Sequence, residues 1–298
     1  MPFIQVRDIP VNYHIYHSDP SAETIVLIHG LGLDQEIWEP ILPYVREHYR
    51  VVLLDMRGHG RTGRGETPVS WELFTGDLHM LLTQLELGPV HLLGHGFGAS
   101  LAVKFSLQYA ELVKSLILLS TPAFLPRKTV ESIVHSRKQL TSNGTMLTLA
   151  ESLVNGLFKL PGDSVLYGKI ISAYMSVSPG TYFDALELYA GAPVNEDFAH
   201  LAHPTLTLVG ADDSITLTSN ALSSQLLMHS SLIVVPDANN TLFIDQPQFT
   251  FERIHEFIAD PSAVKTDYTS FECHVAKYVM RYFNDAFEQV LNKKALQA

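Results

Sequence analysis

Three stretches of this chain carry residue types that can do chemistry. Residues 94–98, Gly-His-Gly-Phe-Gly, follow the apolar run Val90 to Leu93 and precede a helical pattern opening at Ala99. A strand that breaks into a helix through paired glycines has the outline of G-x-S-x-G, a strained turn that lifts a serine hydroxyl above a sheet. Gly94 and Gly98 are the flanking glycines, but the presenting position is Gly96, which has no oxygen to present. His29-Gly30-Leu31-Gly32 closes a second apolar run, and Ser120-Thr121 closes a third. Acyl transfer by serine needs a hydroxyl beside a base that takes its proton. The residues therefore pose the question of what such a turn does without one.

The elements that must position these residues alternate in kind. Phe3–Arg7 and Val11–His17 read as a hairpin across Asp8-Ile9-Pro10. Thr24–His29, Val51–Asp55, Val90–Leu93, Leu116–Ser120, Thr205–Val209 and Ser231–Val235 read as further strands, with Thr24–His29 and Val51–Asp55 continuous enough to be covered on both faces. Helical patterns over about 37–49, 71–87 and 246–258 lie between or after them. The expectation is an α/β fold with a mostly parallel eight-stranded sheet, right-handed crossovers and helices on both faces. Ligands in such sheets sit beyond the carboxyl ends of the strands, so residues 29–32, 55–60, 94–98 and 120–121 are expected to converge on one crevice.

From Pro122 to Asn195 the strand signal lapses, and helical patterns cover 129–141, 145–157, 163–175 and 181–189. The expected organisation is a core of residues 1–121 and 196–261, a helical lid at 122–195 and an amphipathic helical extension at 262–298. An ordinary helical subdomain without a gating role is the alternative for 122–195. In the extension, Phe271, Val275, Val279, Phe283, Phe287 and Val290 recur at spacings of three and four. That stripe packs on its own domain or offers residues 270–296 to a second copy or a protein partner.

Apolar residues make up 46% and charged residues 17% of the 298, an ordinary globular composition. The net charge of −11, with no Lys/Arg block longer than a pair, argues against a nucleic-acid partner. Cys273 is the single cysteine and cannot form an internal disulfide. The N-terminal stretch has no apolar h-region, and no run of 18 apolar residues occurs, so a soluble cytoplasmic protein without a membrane role is expected. The 14 histidines include no H-E-x-x-H spacing, and His200 and His203 lie at a linker beside Pro204, so neither metal nor cofactor is expected.

In their order, these segments resemble the α/β-hydrolase superfamily over roughly residues 3–260. Ile25–Trp38 looks like the oxyanion loop of small esterases and enol-lactonases, Asp55-Met-Arg-Gly-His-Gly looks like D-x-R-G-x-G, and Gly94–Gly98 looks like the nucleophile elbow. The resemblance implies an acid just beyond the strand ending at Val209; Asp213 matches it, with Asp212 the substitute. It also implies a histidine in a segment resembling P-G-A-G-H-x-P-F-x-E-x-P. Pro236, Ala238, Phe243 and Pro247 set the register and put Asn240 at the histidine position. The implied oxyanion donors are the backbone N–H groups of Leu31, after Gly30, and of Phe97.

On this reading Asp213 is retained while Gly96 and Asn240 replace the nucleophile and the histidine. Loss of either group costs on the order of 10⁶ in turnover, and loss of both costs little more. His29 is read as a clasp for the oxyanion loop or a base. His95, in the x position, packs away from the pocket or acts as a base. Ser100 lies a turn inside the following helix, Ser120 and Thr121 suit ligand binding, and Asp213 is a structural acceptor or a general base. The expected function is a non-hydrolytic pseudoenzyme binding a small hydrophobic carbonyl or carboxylate ligand or a protein partner. A lyase, cyclase or isomerase using the cavity, the oxyanion donors and Asp213 is the alternative, and a weak esterase or lactonase with a relocated nucleophile is the third.

Overall fold

The computed structural model describes residues 2–16, 21–121, 127–142, 144–191, 197–198, 200–213, 216 and 230–266. The stripe expected over residues 270–296 lies outside them.

Eight strands form one sheet in the order β1-β2-β4-β3-β5-β6-β7-β8. They are β1 (Phe3–Val6), β2 (Ile9–Tyr16), β3 (Thr24–Ile28), β4 (Arg50–Leu54), β5 (Val90–His95), β6 (Val113–Leu119), β7 (Thr205–Gly210) and β8 (Ser230–Val235). β1 and β2 form the antiparallel hairpin, β2 pairs antiparallel with β4, and every later pairing is parallel. Successive side chains of a strand point to opposite faces. Ile25, Leu27, Val51, Leu53, Leu93, Ile117 and Leu119 accordingly join one buried cluster, and Val26, Ile28, Val52, Leu54, Leu92, Leu116 and Leu118 join another. Both faces are covered, which is why these strands are apolar throughout rather than alternating.

Helices α2 (Trp71–Gln84) and α3 (Phe97–Gln108) cover the second cluster, and α1 (Leu42–Arg46) contributes to the first. Ser70 caps α2 by accepting from the Leu73 N–H at 3.2 Å. The helix expected over 37–49 is two short pieces, a 3-10 turn at Gln35–Trp38 and α1. Pro40 and Pro43 explain the difference, because each lacks the N–H that a continuous helix requires and Pro43 is tolerated only in a first turn.

Between β6 and β7 the described residues include the helices α4 (Arg127–Ser142), α5 (Met146–Leu157), α6 (Val165–Ser176) and α7 (Pro179–Gly191). They bury Leu149, Ala150, Val154, Ile170, Tyr174 and Tyr182 in the first cluster. After β8 the chain forms α8 (Leu242–Asp245) and α9 (Pro247–Ala259), where Trp38 meets Phe243 at 4.4 Å between ring centroids. No helix among the described residues is long and apolar enough to cross a membrane.

Candidate functional site

The turn after β5 is held by close backbone approach. A Cβ on Gly94 would lie 2.5 Å from the backbone of Ala99, and one on Gly98 would lie 2.3 Å from the carbonyl oxygen of Ile28. Both positions therefore demand glycine. Gly96 sits at φ 54° and ψ −111°, and its N–H donates to the Leu119 carbonyl at 3.0 Å. A Cβ there would meet nothing within 4 Å. The tight turn thus presents position 96 to open space at the start of α3.

The loops after β7 and β8 are zipped together beside this turn. The Ala211 N–H donates to Val235 and the Asp212 N–H to Ala238, each at 2.9 Å. Gly210 permits the approach, since a Cβ there would lie 2.2 Å from the Asn239 carbonyl oxygen. Asp213 is buried as a result, and its Oδ2 accepts from Asn240 Nδ2 at 3.0 Å while its Oδ1 accepts from the Thr216 N–H at 3.2 Å.

His95 completes a chain. Its Nε2 lies 3.0 Å from Asn240 Oδ1 and 3.2 Å from the Asn240 carbonyl oxygen. Both are acceptors, so Nε2 carries the proton and donates. The ring's Nδ1 is buried without a partner among the described residues and faces Gly30, where a Cβ would come within 2.8 Å of it. Burial lowers the pKa of His95, which keeps the ring neutral. The order is His95 to Asn240 to Asp213, with the amide oriented by a donor on one side and an acceptor on the other.

His29 is fully engaged. Its Nε2 accepts from the Met56 N–H at 3.0 Å, so Nδ1 holds the proton and donates to the Gly30 carbonyl at 2.8 Å. Burial pushes its pKa down to about 4. The imidazole ties the loop after β3 to the loop after β4, alongside Asp55, which accepts from the Gln35 N–H at 2.9 Å, Asn12 Nδ2 at 2.7 Å and the Arg61 N–H at 3.0 Å.

Phe97 is the first residue of α3, so its N–H has no acceptor within the helix. The Leu31 N–H has no backbone acceptor among the described residues. The Phe97 ring turns into the second cluster, stacked on Trp71 at 5.0 Å, and meets Tyr189 of α7 at 5.7 Å. Ser120 is buried at φ 44°, its hydroxyl without a partner among the described residues, as is that of Ser100. The Thr121 hydroxyl bonds the Leu119 carbonyl at 3.3 Å. Asp212 is exposed and pairs with Lys159, apart from the chain through Asp213. His203 bonds the Ala110 carbonyl at 3.0 Å on the surface, and no group of three metal-ligating side chains occurs among the described residues.

Three tyrosines of the inserted helices had no signal in the sequence. Tyr174 and Tyr182 lie against Gly32, at φ 79°, so closely that a Cβ there would be 2.3 Å and 3.1 Å from their rings. Tyr189 covers Phe97. A cavity of about 500 Å³ lies to one side, lined by Asn12, Asp34, Asp55, Arg61 and Lys169 among others, and by none of His95, Gly96, Asn240 or Asp213.

The chain is similar to known hydrolases and peroxidases. Residues 23–145 match the family model described as alpha/beta hydrolase fold. The (E)-2-((N-methylformamido)methylene)succinate hydrolase of Acinetobacter baylyi is 25% identical over 236 residues, covering 78% of this chain and 89% of that protein. The non-heme chloroperoxidase of Burkholderia pyrrocinia is 27% identical over 259 residues, covering 79% and 91%. The solved enol-lactonase from Burkholderia xenovorans superposes with a TM-score of 0.78 at 21% identity, covering 87% of this chain and 100% of that one. With its sheet order, its turn after β5 and these similarities, the chain has the α/β-hydrolase fold.

Proposed function

We propose that this protein uses the hydrolase fold to hold a small, largely apolar ligand bearing a carbonyl or carboxylate group, without acyl transfer by serine. In this reading Gly96 stands at the nucleophile position, Asn240 stands at the histidine position, and α4–α7 form a lid over the crevice. The carrying observation is the chain His95–Asn240–Asp213. It occupies the side-chain groups that a triad would use and leaves the backbone N–H donors of Leu31 and of Phe97, the latter at the start of a helix whose dipole favours negative charge.

Asp213 accepts an N–H at each oxygen, and both nitrogens of His29 are engaged. Nδ1 of His95 is packed against Gly30. The bonds made by Asp213 and His29 weigh against a lyase or isomerase reading through either group, since that chemistry needs a base free to take a proton from substrate. Of these groups they leave it only Nδ1 of His95, unpartnered among the described residues.

A fluorophosphonate probe is expected to leave the protein unlabelled; stoichiometric labelling at a serine would overturn the proposal. Position 96 has room for a side chain, so Gly96→Ser combined with Asn240→His is expected to turn over short p-nitrophenyl esters. Its rate should exceed that of either single variant by at least about tenfold, since members of a triad act as a unit.

A further inference from the structure

We propose that Arg137 and Tyr182 form a clamp for the carboxylate of a small organic acid, bound between α4, α7 and the loop after β3. The proposal rests on the reading that the crevice holds a ligand, and it names the ligand's charge and the side chains that recognise it.

Arg137 lies on α4 and is half-buried, and its Nη1 donates to the Tyr182 hydroxyl at 2.9 Å. Tyr182 is 1% exposed and rests over Gly32, one residue beyond Leu31. The guanidinium therefore hangs where the inserted helices meet the loop that carries the Leu31 N–H. Tyr189, whose ring meets Phe97, lies within electrostatic reach of both Arg137 and Asp213. Arg137 thus stands beside the tyrosine that rests on the loop after β3.

A guanidinium drawn partly out of water is favoured by a carboxylate beside it. Among the described residues none is paired with Arg137. The carboxylate that α7 offers to α4 is that of Glu187, and it pairs with Lys138 at 2.5 Å. Lys159 and Lys169 of the same insertion also have acids, Asp212 and Glu39. Arg137 is left with a neutral phenol, so a ligand's carboxylate can take the free N–H groups of its fork in a bidentate pair.

Tyr182 adds a second prong. Its oxygen accepts from Arg137, so its own hydrogen is not used in that bond and can be donated to the same carboxylate. Burial raises the tyrosine's pKa, so the hydroxyl keeps that hydrogen at neutral pH. A ligand held this way would extend its other end toward the N–H groups of Leu31 and Phe97.

The test titrates the full chain with butanoate, hexanoate and octanoate and with their primary amides, by calorimetry or ligand-observed NMR. The acids are expected to bind at least about tenfold tighter than the amides. Arg137→Met should weaken the acids by on the order of tenfold to a hundredfold and leave the amides unchanged. Arg137→Lys should retain part of the preference, and Tyr182→Phe should weaken the acids by about threefold. Equal binding of acids and amides to the parent protein overturns the clamp, as does an unchanged preference in Arg137→Met, while the ligand-binding reading survives either result. If Arg137→Met does not fold, an unchanged preference in Tyr182→Phe overturns the clamp. Failure of every acid and amide to bind the parent protein overturns both.

Discussion

At the scale of single residues, Asn240 is defined by its neighbours. It accepts from His95 and donates to Asp213, and these two bonds fix which way its amide points. Replacing it by aspartate keeps the acceptor for His95 but sets a carboxylate against a carboxylate. One of such a pair resists ionisation, so the cost depends on pH. Asn240→Asp is expected to lose about 2 kcal/mol or more at pH 8, and markedly less at pH 4 to 5 where the pair shares a proton. Urea unfolding of parent and variant at both pH values checks this. Asn240 and His95 were both singled out from the sequence, but their contact was not. They are 145 positions apart, and only the zipping of the β7 and β8 loops brings them together.

At the scale of elements, the turn after β5 separates two kinds of glycine. Gly94 and Gly98 are required by backbone contact, whereas Gly96 is surrounded by space and constrained by its positive φ alone. Gly98→Ala must push apart α3 and the end of β3, while Gly96→Ala meets only conformational strain of about 1–3 kcal/mol. Gly98→Ala is therefore expected to be clearly the more destabilising, by comparison of denaturant midpoints. The glycine spacing was legible because such a turn has few solutions. The break within residues 35–46 does not show in the apolar periodicity, which runs on through Pro40 and Pro43. The inserted helices were legible as helices, yet nothing in their pattern revealed that Tyr174 and Tyr182 rest on Gly32, that Tyr189 meets Phe97 or that Arg137 bonds Tyr182.

At the scale of the molecule, two apolar clusters sandwich the sheet and enclose several histidines without charge. Burial lowers His29 to about 4 and His59 to about 3, and lowers His95 as well. The unfolded chain binds protons at these sites below about pH 6.5 and the folded chain does not, so stability is lost as pH falls toward the folded values. Asp34, raised to about 7 by burial and by Asp55, acts in the opposite sense, since the folded chain keeps its proton where the unfolded chain has lost it. The histidines outnumber it, so stability is expected to climb by about 1 kcal/mol per pH unit between pH 5 and 6. Chemical denaturation across that range measures the slope; a flat or falling profile would contradict it. Asp34→Asn should steepen the rise.

The sequence by itself determined the strands, the hairpin, the paired-glycine turn and the absence of a hydroxyl at position 96. Each follows from local periodicity or from a residue's own chemistry, which no packing can change. Only the tertiary structure decided that His95 donates to Asn240, that both oxygens of Asp213 are engaged, and that Arg137 meets Tyr182. Apart from the local bond between Asp213 and Thr216, those contacts join residues 27 to 145 positions apart. Whether such groups meet is set by how sheet, loops and inserted helices close on one another, which no window of neighbouring residues contains.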